Sequence, residues 1–538
     1  MNGPRLVDPA RRAHHEAQGE WPQPSFSVRL RERAEDTPDR PFVIEADGPV
    51  HTFAEIFAQS RRMAGALHAL GVGRGEAVVW QLPNWPEAIA LAAAIDRLGA
   101  VSVPVLPIWR EQELTFACQQ TGARVLVVPG LVRGVEHRDL AAAVQRRVAT
   151  LEHVLTVRAE PAAGQRALAA LETDVALPPS VRPPGPYELS AVFYTSGTTA
   201  EPKGVMHTPS TLGAVVEAQA RVLPPRPDDC SLLQFPLTHI GGLTMFALAP
   251  VRWGLRVVFM DRYDPALALA LIARHRVTIA GGPPAVLQGM FALPRWSVDQ
   301  VRSVRSSGTG AADVAPELVR QIRAHFPEAF AYRSYGLTEC PMLTCGAPGD
   351  PRDRLDNSDG RPLPGATVRI VDDSGHPLPA GVEGEVEAHG PQLCVGYVDP
   401  ALDAAFTADG FFRTGDLGVL DSGGWLRITG RRKDIIIRKG ENLSAKSIED
   451  ELAAHPGIAE VAVIGVPDAT AGERVCACVV LRAGTSALDL GAMRTFMEQR
   501  GVMRQKIPEQ LEILEALPRN ATGKVRKDIL RARFGSRA

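Results

Sequence analysis

Short apolar runs alternate with helical patterns through most of this 538-residue sequence. Residues 76–84 predict a strand that ends in a turn, residues 86–99 predict a helix closed by a glycine, and residues 100–107 predict the next strand. The pattern recurs over residues 124–130, over residues 254–275, and at residues 277–284, which predict a further strand. Because strands and helices that alternate in this way build layered structures, the sequence predicts an α/β fold with a largely parallel sheet.

The second half of the chain predicts two further units. Residues 365–390 contain short apolar runs separated by Gly and Pro, which predict a small β subdomain. From Lys433 onwards a turn, a helix and two strands follow, and together they have the length of an independent domain. We therefore expect a large N-terminal domain of layered α/β subdomains over residues 1–432 and a smaller α+β C-terminal domain over residues 433–538.

The composition excludes several classes of protein. The formal net charge is -2, whereas nucleic-acid-binding domains usually carry a basic excess, so we expect no nucleic-acid partner. The seven cysteines have no regular spacing and do not predict a disulfide framework. No segment has the apolar core of a signal peptide or the length of a membrane span. We expect a cytoplasmic protein without a membrane span.

The strongest chemical signal lies in residues 191–209, AVFYTSGTTAEPKGVMHTP. Small residues let backbone N–H groups approach phosphate oxygens, hydroxyl groups add donors, and a lysine adds a positive charge. The spacing differs from that of a Walker loop, and a flexible Ser/Thr/Gly turn is the alternative interpretation. The candidate phosphate-binding residues are Thr195, Ser196, Gly197, Thr198, Thr199 and Lys203.

The whole of this segment resembles the signature loop of the adenylate-forming superfamily, which includes acyl-CoA synthetases, peptide-synthetase adenylation domains and beetle luciferases. It departs at Ala200, where the family usually has glycine. If that position needs a positive φ, alanine would cost on the order of 1 kcal/mol. Further motifs follow in the family's order over almost the full chain, and this order carries the resemblance.

Two of the motifs match the parts of the family that bind adenine and phosphate. In residues 306–318 the small residues Gly310, Ala311 and Ala312 would lie beneath the adenine. In residues 334–339, SYGLTE, an aromatic ring can stack on a base, a hydroxyl can donate to the α-phosphate and a carboxylate can hold Mg²⁺. Alone, SYGLTE would instead predict an exposed helix start with a capping threonine. The matching positions are Tyr335, Gly336, Thr338 and Glu339.

The motif PLTHIGGL, residues 236–243, matches the part of the family that binds the acyl group. The resemblance implies that His239 lies near the acyl carboxylate and that Gly241 and Gly242 leave room for the substrate. A structural histidine in a turn is the alternative interpretation of His239.

The remaining motifs match the ribose site, the hinge and the C-terminal catalytic residue of the family. A carboxylate such as Asp416 can accept hydrogen bonds from both ribose hydroxyls. The resemblance assigns Arg431 to the ribose, Lys433 to the hinge and Lys524 to catalysis. Alone, these basic segments would be interpreted as solvent-exposed turns. In the family the C-terminal domain rotates between two half-reactions, and Gly440 and Asn442 would then border the CoA tunnel.

The resemblance implies an ATP-dependent acid–CoA ligase with ATP, Mg²⁺ and CoA, acting on a small carboxylic acid. Ile437 stands where aryl-CoA ligases usually have lysine, and residues 439–452 resemble fatty and alicyclic (cyclohexanecarboxylate-type) acyl-CoA synthetases. We therefore expect a medium-chain, alicyclic or branched acid. An acyl-AMP ligase that loads a separate carrier protein, an aryl-CoA ligase and a non-catalytic nucleotide-binding protein remain alternatives, and a homodimer is left open.

Overall fold

The structure is a computed structural model that describes most of the chain. The described residues are 8–195, 202–294, 296–312, 314–438, 441–468, 470–482, 484–485, 488–520 and 523–535.

The helices are distributed over the whole of this part of the chain. Their bounds are α1 (Pro9–Ala17), α2 (Phe26–Asp36), α3 (Phe53–Ala69), α4 (Pro86–Arg97), α5 (Glu111–Thr121), α6 (His137–Arg147), α7 (Leu168–Leu171), α8 (Pro209–Val222), α9 (Ile240–Leu243), α10 (Ala249–Trp253), α11 (Pro265–His275), α12 (Pro284–Phe291), α13 (Val298–Val301), α14 (Pro316–His325), α15 (Arg352–Asn357), α16 (Ala445–Ala453), α17 (Leu490–Gln499) and α18 (Lys527–Phe534).

The strands alternate with these helices in the first half of the chain and follow one another in the second. Their bounds are β1 (Pro41–Glu45), β2 (Val50–Thr52), β3 (Ala77–Trp80), β4 (Val101–Pro104), β5 (Val125–Pro129), β6 (Leu131–Val132), β7 (Val135–Glu136), β8 (His153–Val157), β9 (Arg166–Ala167), β10 (Ala191–Thr195), β11 (Lys203–His207), β12 (Cys230–Leu233), β13 (Arg256–Phe259), β14 (Ser306–Thr309), β15 (Phe330–Tyr335), β16 (Thr344–Cys345), β17 (Arg361–Pro362), β18 (Thr367–Val371), β19 (Glu383–His389), β20 (Phe412–Leu420), β21 (Leu426–Arg431), β22 (Ile435–Arg438), β23 (Glu441–Ser444), β24 (Ile458–Asp468), β25 (Gly472–Leu481) and β26 (Gln510–Ile513).

Two layered α/β subdomains form the first part of the chain. A seven-stranded sheet has the order β11-β10-β4-β3-β5-β8-β9 and is parallel except between β10 and β11. A second sheet has the order β12-β13-β1-β2, and bridges at Ile279 connect β12 to β14 of a third sheet, β14-β15-β16-β17. The predicted α/β class with a largely parallel sheet is therefore confirmed.

Helix α4 shows why these layers pack as they do. Its residues from Ala88 to Ile95 are all buried, and a helix that is apolar on every side must be covered on every side. The hydrophobic cluster around it includes Trp80 of the seven-stranded sheet and Val257 of the second sheet. The apolar helix thus lies between two sheets and joins them into one core.

The β subdomain and the C-terminal domain follow. The β subdomain is an antiparallel sheet of order β18-β19-β20-β21. The C-terminal sheet has the order β23-β22-β25-β24, with β26 parallel to β25. Along β25, Cys476 and Cys478 face a cluster with Phe534 of α18, whereas Val475 and Ala477 face the opposite cluster. The side chains therefore alternate between the two faces of β25, and both cysteines pack in the core of this domain.

One predicted strand is wrong. Residues 277–284 were expected to form a strand, but they contribute only isolated bridges at Ile279 and Gly282. Pro283 and Pro284 lack the N–H group that a strand interior needs, and α12 begins at Pro284. Within the described ranges, no helix combines the length and the apolar character that crossing a membrane requires.

Candidate active site

A cavity of about 1120 Å³ lies where the α/β subdomains, the β subdomain and the C-terminal domain meet. Pockets for small ligands usually measure about 300–1,000 Å³, so this one has room for a nucleotide and a second substrate. Motifs far apart in the sequence line it together. The predicted site residues among its walls are Thr195, Lys203, His239, Gly241, Gly310, Ala311, Ala312, Tyr335, Gly336, Thr338, Glu339, Asp416, Arg431, Lys433 and Lys524.

The predicted phosphate loop connects the two strands of a hairpin. Thr195 at the end of β10 and Lys203 at the start of β11 are cross-strand partners. The loop residues between them, Ser196, Gly197, Thr198 and Thr199, lie outside the described residues, as do Ala200 and Gly440. The side chain of Asn442 lies outside them as well. The hairpin therefore fixes both ends of the loop at the cavity wall.

Asp416 is at the centre of a polar cluster on one wall. Asp416 of β20 and Arg431 of β21 are cross-strand partners, and Arg431 Nε lies 3.0 Å from Asp416 Oδ1. The hydroxyl of Tyr335 donates to Asp416 Oδ2 at 2.6 Å. Burial and the Asp416 charge raise the pKa of Tyr335 well above its usual value, so Tyr335 stays a donor. Carboxylate oxygens can accept several hydrogen bonds, so Asp416 can also accept from ligand hydroxyls.

The turn after β14 forms part of the cavity wall, and its backbone lies close to β15. A Cβ on Gly310 would lie 2.4 Å from the carbonyl oxygen of Ser334, so glycine is required there. Ala311 adopts φ of +62°, which is the left-handed region. Non-glycine residues in this region are uncommon, cost energy and occur often at functional sites.

The carboxylate of Glu339 is held by a residue that the motifs did not reveal. Glu339 is buried, and the hydroxyl of Tyr397 donates to its Oε1 at 2.6 Å. Lys203 Nζ lies 5.9 Å from the centre of the Tyr397 ring. Tyr397 follows the end of β19 in an irregular segment, and no sequence pattern distinguishes it from any other loop tyrosine.

The backbone of Thr338 is held by a second residue that sequence reasoning did not assign. His207 Nε2 lies 2.9 Å from the carbonyl oxygen of Thr338. A carbonyl can only accept, so Nε2 carries the proton, and Nδ1 faces the hydroxyl of Thr211 at 3.0 Å. Burial lowers the pKa of His207 to about 4, and the ring is neutral at neutral pH. His207 stands in the VMHT segment after the phosphate loop, which was its only signal.

His239 begins the short helix α9 at the cavity wall. Its Nδ1 accepts a hydrogen bond from the N–H of Gly241 at 3.2 Å, as an N-cap side chain does. Burial lowers the pKa of His239 to about 4, and the positive charge of Lys524 acts in the same direction. The C-terminal Lys524 therefore lies close enough to the acyl-pocket motif to influence it, although the two residues are 285 positions apart in the sequence.

The loop that carries Lys524 is closed by its own backbone. The N–H of Asn520 donates to the carbonyl of Lys524 at 2.8 Å, and the N–H of Lys524 donates to Asn520 Oδ1 at 2.9 Å. Arg519 pairs with Glu460 at 2.8 Å and fixes the loop to β24. These contacts hold the backbone of Lys524 at the cavity wall.

The predicted hinge lies in a short 3-10 turn over Arg432–Asp434 that joins β21 to β22. Burial lowers the pKa of Lys433, and Arg431 adds to the effect. Asp434 pairs with Arg531 of α18 at 2.7 Å, so the turn is attached to the C-terminal domain. Ser444 donates to the carbonyl of Thr429, which holds the C-terminal domain against β21.

One predicted acyl-pocket residue has a different environment. Gly242 is not among the cavity-lining residues. A Cβ at Gly242 would lie 2.3 Å from the carbonyl oxygen of Pro236 and 2.7 Å from Leu237 Cα. Glycine is required there because the turn before α9 packs tightly on itself, so the expectation that Gly242 makes room for a substrate is corrected.

The fold and this cleft are those of an enzyme that binds a nucleotide between a large domain and a small one. The chain belongs to the family of AMP-binding enzymes: the family domain matches residues 30–398, and the AMP-binding enzyme C-terminal domain matches residues 447–524. The predicted membership of the adenylate-forming superfamily and the prediction of an enzyme are confirmed.

Individual relatives cover nearly the whole chain. A medium-chain fatty-acid–CoA ligase of Escherichia coli K12 is 33% identical over 97% of this chain and 92% of its own length. A salicyl-AMP ligase/salicyl-S-ArCP synthetase of Mycobacterium tuberculosis H37Rv is 32% identical over 98% of this chain and 93% of its own length. The crystal structure of ATP-bound MatB from Rhodopseudomonas palustris superposes with a TM-score of 0.85 at 28% identity, covering 95% of this chain and 99% of that one.

Proposed function

We propose that this chain is an ATP-dependent acid–CoA ligase. It would first convert a carboxylic acid and ATP to acyl-AMP and pyrophosphate, and then transfer the acyl group to the thiol of CoA. The observation that carries the proposal is the convergence of Lys524, His239 and Asp416 on one cavity. A catalytic lysine, an acyl-pocket motif and a ribose-binding carboxylate are what the first half-reaction requires in one place.

The first half-reaction is an electrostatic problem. The substrate carboxylate, with a pKa of about 4–5, is already ionised at neutral pH and needs no general base. One of its oxygens bonds to the α-phosphorus while the bond from that phosphorus to the bridging oxygen breaks. Positive charge and fixed donors must balance the charge that accumulates. Lys524 would contact the carboxylate and α-phosphate oxygens, and Thr338 would donate to the α-phosphate.

Asp416 and Arg431 would hold the ribose, and Tyr335 would lie against the adenine with Gly310, Ala311 and Ala312. Lys203 and the loop that Thr195 enters would bind the leaving pyrophosphate. His239 is neutral at neutral pH because burial lowers its pKa to about 4. A neutral ring beside the carboxylate competes less with Lys524 for the anion than a charged one would.

Glu339 is the residue that would hold magnesium. Among the residues that the structure describes, no group of three or more His, Cys, Asp or Glu side chains is placed to hold a metal ion. A single buried carboxylate fits a cation that takes most of its ligands from phosphates and water. Magnesium bound with ATP would neutralise charge on the phosphates.

In the second half-reaction the thiol sulfur bonds to the acyl carbon while the bond to AMP breaks, and the thiol proton is released. The C-terminal domain would turn about the Arg432–Asp434 segment, which removes Lys524 from the acyl site. Hinge motions of this type are a known way to assemble two sites in turn. Gly440 and Asn442 would then border the path of CoA.

We also propose a medium-chain, alicyclic or branched acid as the substrate. Ile437 is exposed on β22 where aryl-CoA ligases usually have lysine, and a medium-chain fatty-acid–CoA ligase is among the relatives. Because a salicyl-AMP ligase named as a carrier-protein synthetase is similarly related, transfer to a carrier protein is the second candidate function.

The test is ATP–pyrophosphate exchange across a panel of medium-chain, alicyclic, branched and aromatic acids, followed by product analysis with free CoA or a carrier protein. Exchange with an aliphatic acid and formation of its CoA thioester is the expected result. Exchange without thioester formation from free CoA would favour the carrier-protein function. A folded protein without exchange on any acid would contradict both.

A further inference from the structure

The N-terminal helix α1 contacts the peptide segment over residues 390–398, which binds Glu339. We propose that Arg11 of this helix is a positioning residue for Thr338 and Glu339. This inference rests on the proposed function, which assigns both residues to ATP chemistry. Arg11 does not line the cavity, and it would act through the peptide segment over residues 390–398.

Arg11 binds the start of this segment through three carbonyl oxygens. Its Nη1 donates to the carbonyl of Cys394 at 3.0 Å, and its Nη2 donates to those of Gly390 at 3.2 Å and of Leu393. The guanidinium lies 5.2 Å from the centre of the Trp21 ring. Trp21 Nε1 donates to the carbonyl of Pro391 at 3.2 Å. Arg11 and Trp21 therefore bind four of the five carbonyl groups from Gly390 to Cys394.

The other face of the same segment contacts Glu339 twice. The N–H of Cys394 donates to the carbonyl of Glu339 at 2.7 Å. Three residues later, the hydroxyl of Tyr397 donates to the Glu339 carboxylate at 2.6 Å. The carbonyl of the same peptide group, that of Leu393, accepts a hydrogen bond from Arg11. A shift of the segment would therefore move both groups that hold Glu339.

The rest of the segment is attached to β11, the strand that begins with Lys203. The N–H of Val395 donates to the carbonyl of Met206 at 3.0 Å, and the N–H of Val398 donates to that of Gly204 at 2.8 Å. His207 at the end of β11 donates to the carbonyl of Thr338. Two consecutive carbonyl groups are therefore held by hydrogen bonds. That of Thr338 accepts from His207, and that of Glu339 accepts from the segment that Arg11 binds.

The chemistry of this contact requires an arginine. A guanidinium offers five N–H donors in a planar fork, so one side chain can bind several carbonyl oxygens at fixed angles, which an ammonium cannot do. Burial lowers the pKa of Arg11 to about 10, and the group remains charged at neutral pH. The neighbouring Arg12 is exposed and pairs with Glu16 at 2.9 Å. The two arginines therefore form a matched pair, one facing the segment and one facing solvent.

The experiment compares Arg11→Met, Arg11→Lys and the control Arg12→Met in the full-length protein. The first measurement is the affinity for ATP by calorimetry, with and without Mg²⁺ and without an acid. The second is the Mg²⁺ concentration that gives half-maximal ATP–pyrophosphate exchange. The third is deuterium uptake by the peptides that contain Glu339 and Cys394.

We expect Arg11→Met to weaken Mg²⁺-dependent ATP binding about tenfold, as the loss of hydrogen bonds to one charged group predicts. The Mg²⁺ concentration for half-maximal exchange should rise by a similar factor, and both peptides should take up deuterium faster. Arg11→Lys should lose less ATP affinity than Arg11→Met does, and Arg12→Met should match the wild type in all three measurements.

A merely structural role gives a different result. If Arg11→Met lowers the melting temperature but leaves the ATP affinity and the Mg²⁺ requirement unchanged, the inference is overturned. If Arg11→Met does not fold, Trp21→Phe removes the hydrogen bond to Pro391, and it should raise deuterium uptake at Cys394 and the Mg²⁺ requirement; no change would overturn the inference. A wild-type protein without exchange on any acid contradicts the proposed function, while the deuterium comparison still decides whether Arg11 holds Glu339.

Discussion

Asp416 and Arg431 face each other across neighbouring strands of the β subdomain, and their side chains form an ion pair of 3.0 Å. The pair lies at the end of the β subdomain from which the chain continues into the 3-10 turn Arg432–Asp434, the proposed hinge. Arg431, which we propose binds the ribose, is therefore the last residue of β21 and directly precedes this turn. A nucleotide bound at Arg431 would therefore lie next to the turn about which the C-terminal domain would rotate.

The first prediction concerns the charge of Asp416. Asp416→Asn keeps an acceptor for Tyr335 but removes the ion pair and the negative charge that would bind ribose hydroxyls. Hydrogen bonds to a charged group contribute about 1.5–3 kcal/mol, so we expect kcat/KM for ATP to fall about 10- to 100-fold. The measurement is ATP–pyrophosphate exchange at varied ATP concentration.

Asp409→Asn is the control for this prediction, because Asp409 is an exposed aspartate of the same subdomain that pairs with Arg369 at 2.6 Å. It should leave the KM for ATP unchanged. An unchanged kcat/KM for ATP in Asp416→Asn would show that Asp416 does not bind the ribose.

The second prediction concerns Tyr397. Tyr397→Phe removes the hydrogen bond to Glu339 and leaves the ring in place. A hydrogen bond to a charged group contributes about 1.5–3 kcal/mol, and without it the carboxylate of Glu339 is held less firmly. We expect the Mg²⁺ concentration for half-maximal exchange to rise about tenfold, measured by titration at constant ATP. Tyr187→Phe removes a hydrogen bond to Glu16 at the protein surface and should behave as the wild type. Equal behaviour of the two variants would contradict the role of Tyr397.

Local sequence patterns were sufficient for part of this site. Thr195 and Lys203, at the two ends of the hairpin loop, were predicted as phosphate-binding residues because all the residues of their motif lie in one continuous segment. Helix α4 was predicted for the same reason, since its apolar residues and its flanking Pro86 and Gly99 are adjacent in the chain. Where a short segment contains all the groups that determine its structure, the sequence determines the outcome.

The rest depends on contacts between distant residues. Tyr397 and Glu339 are 58 positions apart, and Arg11 and Cys394 are 383 apart. A tyrosine in a loop or an arginine in an N-terminal helix has many possible partners, and only the packed fold selects one. The requirement for glycine at position 281 has a similar cause: a Cβ there would lie 2.4 Å from the carbonyl oxygen of Gly308. That close approach is visible only after β14 is in place.

The third prediction separates the two half-reactions. Lys524→Ala removes the positive charge that would stabilise the transition state of adenylation, and removal of one such group costs about 10²- to 10³-fold in rate. We expect exchange to fall by at least this factor while thiolysis of supplied acyl-AMP by CoA is retained. Lys506→Ala, a lysine of the same domain outside the cavity, is the control. Equal loss in both half-reactions, by the exchange and thioester assays, would refute the division of roles.

The fourth prediction concerns the hinge. Lys433→Pro restricts the backbone of the 3-10 turn, because proline fixes φ near -65° and also restricts the residue before it. Rotation of the C-terminal domain should be impaired, so thioester formation from acyl-AMP should fall more than exchange does. Lys433→Ala, which removes the same side chain without restricting the turn, should retain the thioester rate better. A normal thioester rate in Lys433→Pro would count against this segment as the hinge.

The last prediction concerns the buried His207. Its pKa is about 4 in the folded protein and about 6.5 in an unfolded chain. Between these values the unfolded state binds the extra proton, so the stability due to neutral His207 is complete above pH 6.5 and is lost as the pH falls towards 4. At pH 5 the loss is on the order of 2 kcal/mol.

His207→Gln retains an N–H that can donate to the carbonyl of Thr338 and does not titrate. We expect the wild type to unfold at a lower temperature at pH 5 than at pH 7.5, and His207→Gln to show a smaller difference, both by scanning calorimetry. The control His376→Gln replaces an exposed histidine, with 79% of its side chain accessible, and should keep the wild-type difference. If His207→Gln also kept the wild-type difference between pH 5 and pH 7.5, other groups would have to bind the proton on unfolding, such as the similarly buried His239.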